Sequence, residues 1–182
     1  KSGPAFSKVG NSELRIVMRR DGCKAEDYAR RHHIKEYTSD AEDIYNHPDI
    51  NSIYIATPPS SHKEYALKAI EHGYNLYIEK PVCLTSGDAR ELSTALNTYN
   101  KKHLPKPIAL SVAHYRRFLP MLLKVQEILK SNELGDVKDC AIKLWKSTSP
   151  ASYTDPLNWR LQPSISGKFC WLILNSAVIR LP

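Results

Sequence analysis

A chain of 182 residues can bury one good core, or one core and part of a second. Its 42% hydrophobic and 25% charged residues are ordinary for a globular protein, and the apolar stretch from Phe169 to Ile179 is too short and too interrupted to cross a bilayer. The 26 basic residues outnumber the 19 acidic ones, for a net charge of +7. They fall in scattered pairs (Arg19-Arg20, Arg30-Arg31, Lys101-Lys102, Arg116-Arg117) with no aromatic-interleaved stripe, which argues against nucleic acid and for a basic surface suited to an anionic ligand.

Lys1 to Phe6 reads as the interior of a helix, and Leu14 to Met18 as a strand closed by the Arg19-Arg20-Asp21-Gly22 turn. Cys23 to His33 is predicted helical, with Ala25, Tyr28, Ala29 and His32 on one face at i, i+3, i+4, i+7. A short strand at Glu36 to Thr38 leads into a capping box, Ser39-Asp40-Ala41-Glu42, and a helix that stops before Pro48. Ser52 to Ala56 is the next strand. A second box, Ser61-His62-Lys63-Glu64, opens a helix ending at Gly73, a good residue for the position after a helix C-cap. Asn75 to Ile78 is a strand, a third box at Thr85-Ser86-Gly87-Asp88 starts a helix to about Lys102, and Ile108 to Ala113 is another buried strand. Leu119 to Ser131 is predicted helical, with Pro120 in its first turn and Leu122, Leu123, Ile128 and Leu129 along it. This alternation predicts an α/β fold with a parallel sheet covered on both faces. After Gly135 the texture changes: Val137 to Ser147 reads as a strand of a different sheet, and Ser147 to Ser166 as a long loop. A domain boundary is expected near residue 118, giving units 1–118 and 119–182.

Two apolar runs, Ile53-Tyr54-Ile55-Ala56 and Tyr74-Asn75-Leu76-Tyr77-Ile78, each end in a polar turn. Ligands of open α/β sheets bind beyond the carboxyl ends of the strands, which places Thr57-Pro58-Pro59-Ser60-Ser61-His62 and Glu79-Lys80-Pro81 at one edge. A lysine at such an edge can give or take a proton, because its pKa moves readily with its surroundings. His114-Tyr115-Arg116-Arg117 follows another strand and faces the same edge. One arginine there could bind substrate hydroxyls or a carboxylate while the other pairs structurally; His114 and Tyr115 serve substrate or packing. His62 sits either in the first turn of its helix, near a ligand, or on the surface.

In order along the chain come Tyr37-Thr38 before an acidic helix, Asp49 to Pro59, His62, Ala66-Leu67, Glu79-Lys80-Pro81 and Arg116-Arg117-Phe118. Asn158-Trp159-Arg160 and Ile165-Ser166-Gly167 follow. Over roughly residues 3 to 167 this series resembles the glucose–fructose oxidoreductase/inositol dehydrogenase (Gfo/Idh/MocA) family of nicotinamide-dependent oxidoreductases. The resemblance implies a Rossmann-type domain followed by the start of an α/β second domain, and hydride transfer between nicotinamide and a sugar, polyol or related hydroxy compound. Lys80 would be the general acid/base. Ala56, Thr57, Pro58, Pro59, His62, Glu79, Lys80 and Pro81 would lie against the cofactor, with Glu79 orienting the lysine or touching a ribose. His114, Tyr115, Arg116 and Arg117 would face substrate, and Trp159-Arg160 would pack on the substrate side. A homo-oligomer joined through the second domain's sheet is also implied. The Lys80–Pro81 bond is expected to be cis.

Where the second Rossmann strand ends, an acid would accept hydrogen bonds from the adenosine ribose, whereas Arg19 and Arg20 favour a 2′-phosphate, so NADP is expected ahead of NAD. Family members open on a strand and a G-x-G-x-x-G turn; no G-x-G occurs among the seven glycines here, so that segment is expected to be missing. The family's second-domain Asp-x-x-x-His is likewise expected to be absent, since all seven histidines lie at or before His114. From Lys168 onward the sequence departs from the pattern, and this segment is expected to fit the fold poorly, leaving Trp171, Leu172 and Ile173 partly exposed. A chain so reduced could instead be catalytically inactive and act through protein–protein association. Cys23, Cys83, Cys140 and Cys170 show no C-x-x-C spacing and read as reduced thiols of a cytoplasmic protein rather than metal ligands. No metal is expected.

Overall fold

The amide and carbonyl groups of short apolar runs must find partners when buried, and here they do so in parallel ladders. The structure is a computed structural model that describes residues 3–142, 162–166 and 177–180. It falls into two compact units, Lys1–Ile53 and Tyr54–Pro182.

In the first unit, α1 (Gly3–Phe6) precedes β1 (Ile16–Met18), α2 (Gly22–His32), β2 (Glu36–Thr38) and α3 (Glu42–Tyr45). β1 and β2 pair in parallel, Ile16 opposite Glu36 and Met18 opposite Thr38. α2 crosses between them and buries Ala25 and Ala29, small residues that let the helix lie close on the ladder. Asp21 caps α2, its carboxylate accepting from the Lys24 amide at 3.2 Å, and His33 ends it in the left-handed region at φ 54°. Arg30, Arg31 and His32 occupy the last turn, where cations suit the negative end of the helix. The box expected at Ser39 does not form. α3 begins only at Glu42, so Ser39 lies too far back, and the Asp40 carboxylate takes the Glu42 amide at 2.9 Å instead.

In the second unit, β3 (Ser52–Ile55, which starts at the boundary) leads through a 3-10 turn, Pro59–Ser61, into α4 (His62–Glu71). β4 (Asn75–Ile78), α5 (Ser86–Lys102) and β5 (Leu110–Val112) follow, then a second 3-10 turn at Tyr115–Phe118 and α6 (Pro120–Lys130). The sheet order is β3-β4-β5, and β4 runs parallel to β5 with Ile78 opposite Val112. Ile55, Leu76 and Ile78 from the strands, Ala66, Ala69 and Ile70 from α4 and Leu92 from α5 form the core. Burying a side chain such as Ile78 or Leu92 contributes about 1.5–3 kcal/mol. Gly73 ends α4 at φ +79°, where a Cβ would also collide with the Tyr99 hydroxyl of α5.

The box at Ser61 also fails: Ser61 makes no side-chain cap bond, because the 3-10 turn already supplies that corner. The third box holds, with the Thr85 hydroxyl accepting from the Asp88 amide at 3.1 Å and donating to its carboxylate at 2.7 Å.

The strands of the Rossmann-type fold lie in a two-stranded and a three-stranded sheet, not in one. In a doubly wound order of 3-2-1-4-5-6, the strands equivalent to β1 and β3 are each partnered by the first strand. Among the described residues, each leaves that side open. α6 forms as expected, but Leu122, Leu123 and Leu129 are exposed. β6 (Asp139–Ile142) pairs antiparallel with β7 (Ala177–Arg180) in a separate sheet, as the change of texture after Gly135 suggested. This corrects the expectation for the segment after Lys168, at least over Ala177–Arg180, which takes a regular place in a ladder. Trp171, Leu172 and Ile173 lie outside the described residues. Within the stretch read as loop, Pro163–Ser166 forms a helical turn, α7, because a proline at its start presets the helical φ and costs no intrahelical bond.

Thr85→Ala is expected to lower the unfolding free energy by about 1 kcal/mol, the usual worth of an N-cap. Ser39→Ala should stay within about 0.5 kcal/mol, as for a surface change away from any such feature. Urea unfolding of the two variants measures both.

Candidate functional site

The ladder of the second unit continues one residue past its strands. The Glu79 amide donates to the Ile55 carbonyl at 2.9 Å, and the Ala113 amide to the Ile78 carbonyl at 2.8 Å. These two bonds set the ends of β3, β4 and β5 side by side, pointing the same way. The turns that leave them are Ala56–Thr57–Pro58, Glu79–Lys80–Pro81 and Ala113–His114, so the three segments anticipated at one edge all begin there. The exposed 3-10 turn carrying Tyr115, Arg116 and Arg117 starts directly after His114.

Glu79 is held firmly. Its Oε1 accepts from the Tyr54 hydroxyl at 2.7 Å, and its Oε2 accepts from the Lys80 amide at 3.3 Å. Tyr54 in turn stacks on Tyr77 of the neighbouring strand, ring centroids 5.4 Å apart. The carboxylate therefore fixes the backbone at Lys80. The Lys80 side chain is exposed, and no acid partners its ammonium among the described residues. The Lys80–Pro81 bond is cis.

Behind the edge, Pro59 is buried, and the hydroxyls of Thr57 and Ser61 hydrogen-bond at 2.9 Å. Ser61 also reaches the Pro58 carbonyl at 3.0 Å. α7 packs against this turn with Ser166 buried. His62 is not a surface histidine: it is fully buried, Nδ1 2.9 Å from the Pro81 carbonyl oxygen and Nε2 2.8 Å from that of Thr57. A little further out, Lys63 of α4 bridges Asp88 and Glu91 of α5. Hydrogen bonding to Glu91, then to Asp88, raises the Lys63 pKa, while the Thr85 hydroxyl first and Lys63 second hold the Asp88 carboxyl below the usual carboxylate range. Burial pushes the Cys83 thiol up to about 11.

In the first unit, Arg19 and Arg20 are exposed at the end of β1, and neither guanidinium has an acid partner among the described residues. The adjacent Asp21 is occupied by its helix cap and by Lys24, 2.9 Å away. Trp159 and Arg160 lie outside the described residues. No cluster of three or more histidine, cysteine or carboxylate groups able to hold a metal occurs among the described residues. No helix there is long and apolar enough to cross a membrane.

The sequence reading missed Tyr54, whose hydroxyl steadies Glu79. The available signal was the pairing of Tyr54 and Tyr77 at matching places on adjacent strands. It also missed Ser166 as a buried support of the Pro59–Ser61 turn, because a four-residue helix is too short to show periodicity.

The edge thus offers a ligand several strand ends, a proline-rich turn and an exposed lysine. Residues 2–105 match the model of the "Oxidoreductase family, NAD-binding Rossmann fold" (GFO_IDH_MocA), more than half of the 182 residues. The chain belongs to this family. It is 46% identical to Oxidoreductase P35 of Formosa agariphila over 169 residues, 92% of this chain and 50% of that protein. It is 31% identical to levoglucosan dehydrogenase of Pseudarthrobacter phenanthrenivorans over 146 residues, 79% of this chain and 35% of that protein. A solved levoglucosan dehydrogenase, in complex with NADH and levoglucosan, superimposes with a TM-score of 0.69 at 27% identity, covering 85% of this chain and 39% of that one. The chain thus spans about half the length of the Formosa relative and little more than a third of the others.

At mildly alkaline pH, iodoacetamide is expected to modify the exposed Cys23 promptly and Cys83 at least ~100-fold more slowly, because so little of a buried, high-pKa thiol is thiolate. Mass spectrometry of timed samples of a variant with Cys140 and Cys170 changed to serine gives the two rates.

Proposed function

We propose that this chain serves a nicotinamide-dependent oxidoreductase acting on a sugar, polyol or related hydroxy compound, with Lys80 as its general acid/base. The observation that carries the reading is the meeting of three strand ends around an exposed lysine whose backbone is fixed by Glu79. Thr57, Pro58, Pro59, Glu79 and Pro81 would border the nicotinamide end of the cofactor, with Ala56 and the buried His62 beneath it. The cofactor, when bound, supplies the hydride donor or acceptor. The chain's own part is the proton. In oxidation, Lys80 Nζ takes the proton from the substrate hydroxyl oxygen as the carbonyl forms; in reduction it returns that proton. Arg116 or Arg117 would hold substrate hydroxyls or a carboxylate, with His114 and Tyr115 beside them and Trp159-Arg160 on the substrate side. The comparisons support the substrate class, with a relative named for levoglucosan and a solved levoglucosan dehydrogenase holding NADH and levoglucosan.

The two sequence units are proposed to be a cofactor domain over 1–118 and the start of a second domain over 119–182, in a homo-oligomer located in the cytoplasm. NADP is proposed ahead of NAD. Arg19 and Arg20 carry free guanidinium groups suited to a 2′-phosphate, and the one nearby carboxylate, Asp21, is committed to the α2 cap. A second reading is association with another chain without catalysis.

Titration with NADPH and NADH, followed by turnover on a panel of polyols, separates the two readings: an enzyme binds and turns over, an association module does neither. Lys80→Ala is expected to cut kcat by about 10²–10⁴-fold while cofactor binding stays close to normal, as for loss of one acid/base group. Near-normal turnover would remove Lys80 from the role.

The double change Arg19→Asp with Arg20→Ala should move the ratio of catalytic efficiencies towards NADH. A ratio unmoved by the change would mark the pair as plain surface charge.

A further inference from the structure

His62 sits where a histidine has an unusual hydrogen-bonding problem. Both of its ring nitrogens face main-chain carbonyl oxygens, Pro81 at 2.9 Å and Thr57 at 2.8 Å. A carbonyl oxygen only accepts, so each of these contacts needs an N–H from the ring. A neutral imidazole has one N–H and one bare lone pair. With one hydrogen, one nitrogen would press its lone pair against a carbonyl oxygen at hydrogen-bonding distance. The ring is 0% exposed, so no water from the bulk can relieve that contact. With two hydrogens, both contacts become charge-assisted bonds of ordinary length.

We infer that the His62 ring carries hydrogens on both nitrogens, and that this doubly donating ring clamps the Thr57 turn to the Lys80–Pro81 turn as a positioning residue for Lys80. The two carbonyls belong to the loops that leave β3 and β4, each two residues beyond the Ile55–Glu79 rung that ends the ladder between them. The clamp therefore acts exactly where main-chain pairing ends and the loops would otherwise part.

On α4, Lys63 turns away to Asp88 and Glu91 of α5, and Glu64 is exposed. The positive end of α4 works against a cation at its first residue. On the β4 side, Glu79 is engaged by the Tyr54 hydroxyl and the Lys80 amide, Lys80 is exposed and Cys83 is a buried thiol. α7 brings the neutral Ser166. Among the described residues, no carboxylate is bonded to the ring, so the partial negative charge of the two carbonyls is what holds the second hydrogen.

The positioning role rests on the oxidoreductase reading; the state of the ring does not, and the experiment keeps them apart. Long-range ¹H–¹⁵N correlation spectra of the ¹⁵N-labelled 182-residue chain at neutral pH report directly which ring nitrogens carry hydrogen. The His62 signals are assigned through their bonded neighbours, and checked by their loss in His62→Gln. Two hydrogen-bearing nitrogens are expected; a bare nitrogen at either position overturns the clamp, whatever the chain's activity. Because His62→Gln can fail to fold, its circular dichroism is recorded first, and His62→Asn stands as a second variant. In a folded variant, the Ser61 and Cys83 amides should exchange at least several-fold faster, both turns having lost a partner. Turnover then tests the consequence. His62→Gln should change kcat and the KM for cofactor together, whereas Lys80→Ala changes kcat alone. Unaltered kcat and KM in a folded His62→Gln protein would overturn the positioning role even with both nitrogens protonated.

Discussion

Register in a parallel ladder is not local: each amide chooses a carbonyl, and the choice fixes every later residue of both strands. In this chain the last such choices are the Glu79 amide on Ile55 and the Ala113 amide on Ile78. A slip of one residue in either would exchange the buried Ile78 for its polar neighbour and carry Lys80 to the other face of the sheet. The core therefore enforces the edge. Ile55 and Ile78 are buried because α4 and α5 cover them, and those helices are anchored by the Thr85 cap and the Lys63 bridge. The polar turns sit above this core as a direct result.

Above the ladder, geometry passes from main-chain pairing to side chains. Glu79 is both product and instrument of that change: its amide closes the ladder while its carboxylate, propped by Tyr54, accepts from the next amide. Thr57 and Ser61 do the same for the neighbouring turn, whose prolines supply no amides of their own. The two loops are stiffened by different chemistry and joined by a single aromatic ring.

Much of this was legible in the residues, and the failures have definite causes. Strands announced themselves as apolar runs ending in polar turns, so β1 through β5 lie where the runs predicted, β2 and β4 to the residue and β1, β3 and β5 trimmed by one or two residues at one or both ends. The Thr85 box worked because its hydroxyl lies one residue ahead of a regular helix. The boxes at Ser39 and Ser61 share that spelling but not that context: Asp40 outcompetes one, and a 3-10 turn displaces the other. His62 could not be read from pattern, because a histidine in a first turn looks alike whether it meets water or two carbonyls. The turns at Thr57, Glu79-Lys80 and His114 begin at one edge because strand ends, unlike side-chain contacts, follow from the order of elements alone. The β6–β7 pairing escaped notice because Ala177-Val178-Ile179-Arg180 is too short to distinguish a strand from any other apolar stretch.

Asp21 has a consequence for how such a sequence can change over time. Its carboxylate is the N-cap of α2, and α2 covers the β1–β2 ladder through Ala25 and Ala29. A carboxylate bound to a helix amide and to Lys24 is not free to be turned towards a sugar diol. On the cofactor reading proposed above, drift in cofactor choice would begin at position 19 or 20, where substitution disturbs no cap. Position 21 is shielded from that kind of selection by folding itself: a lineage exploring it would lose helix before it gained a ligand. The residue that looks in sequence like a hesitant vote for one cofactor is, in the fold, an abstention.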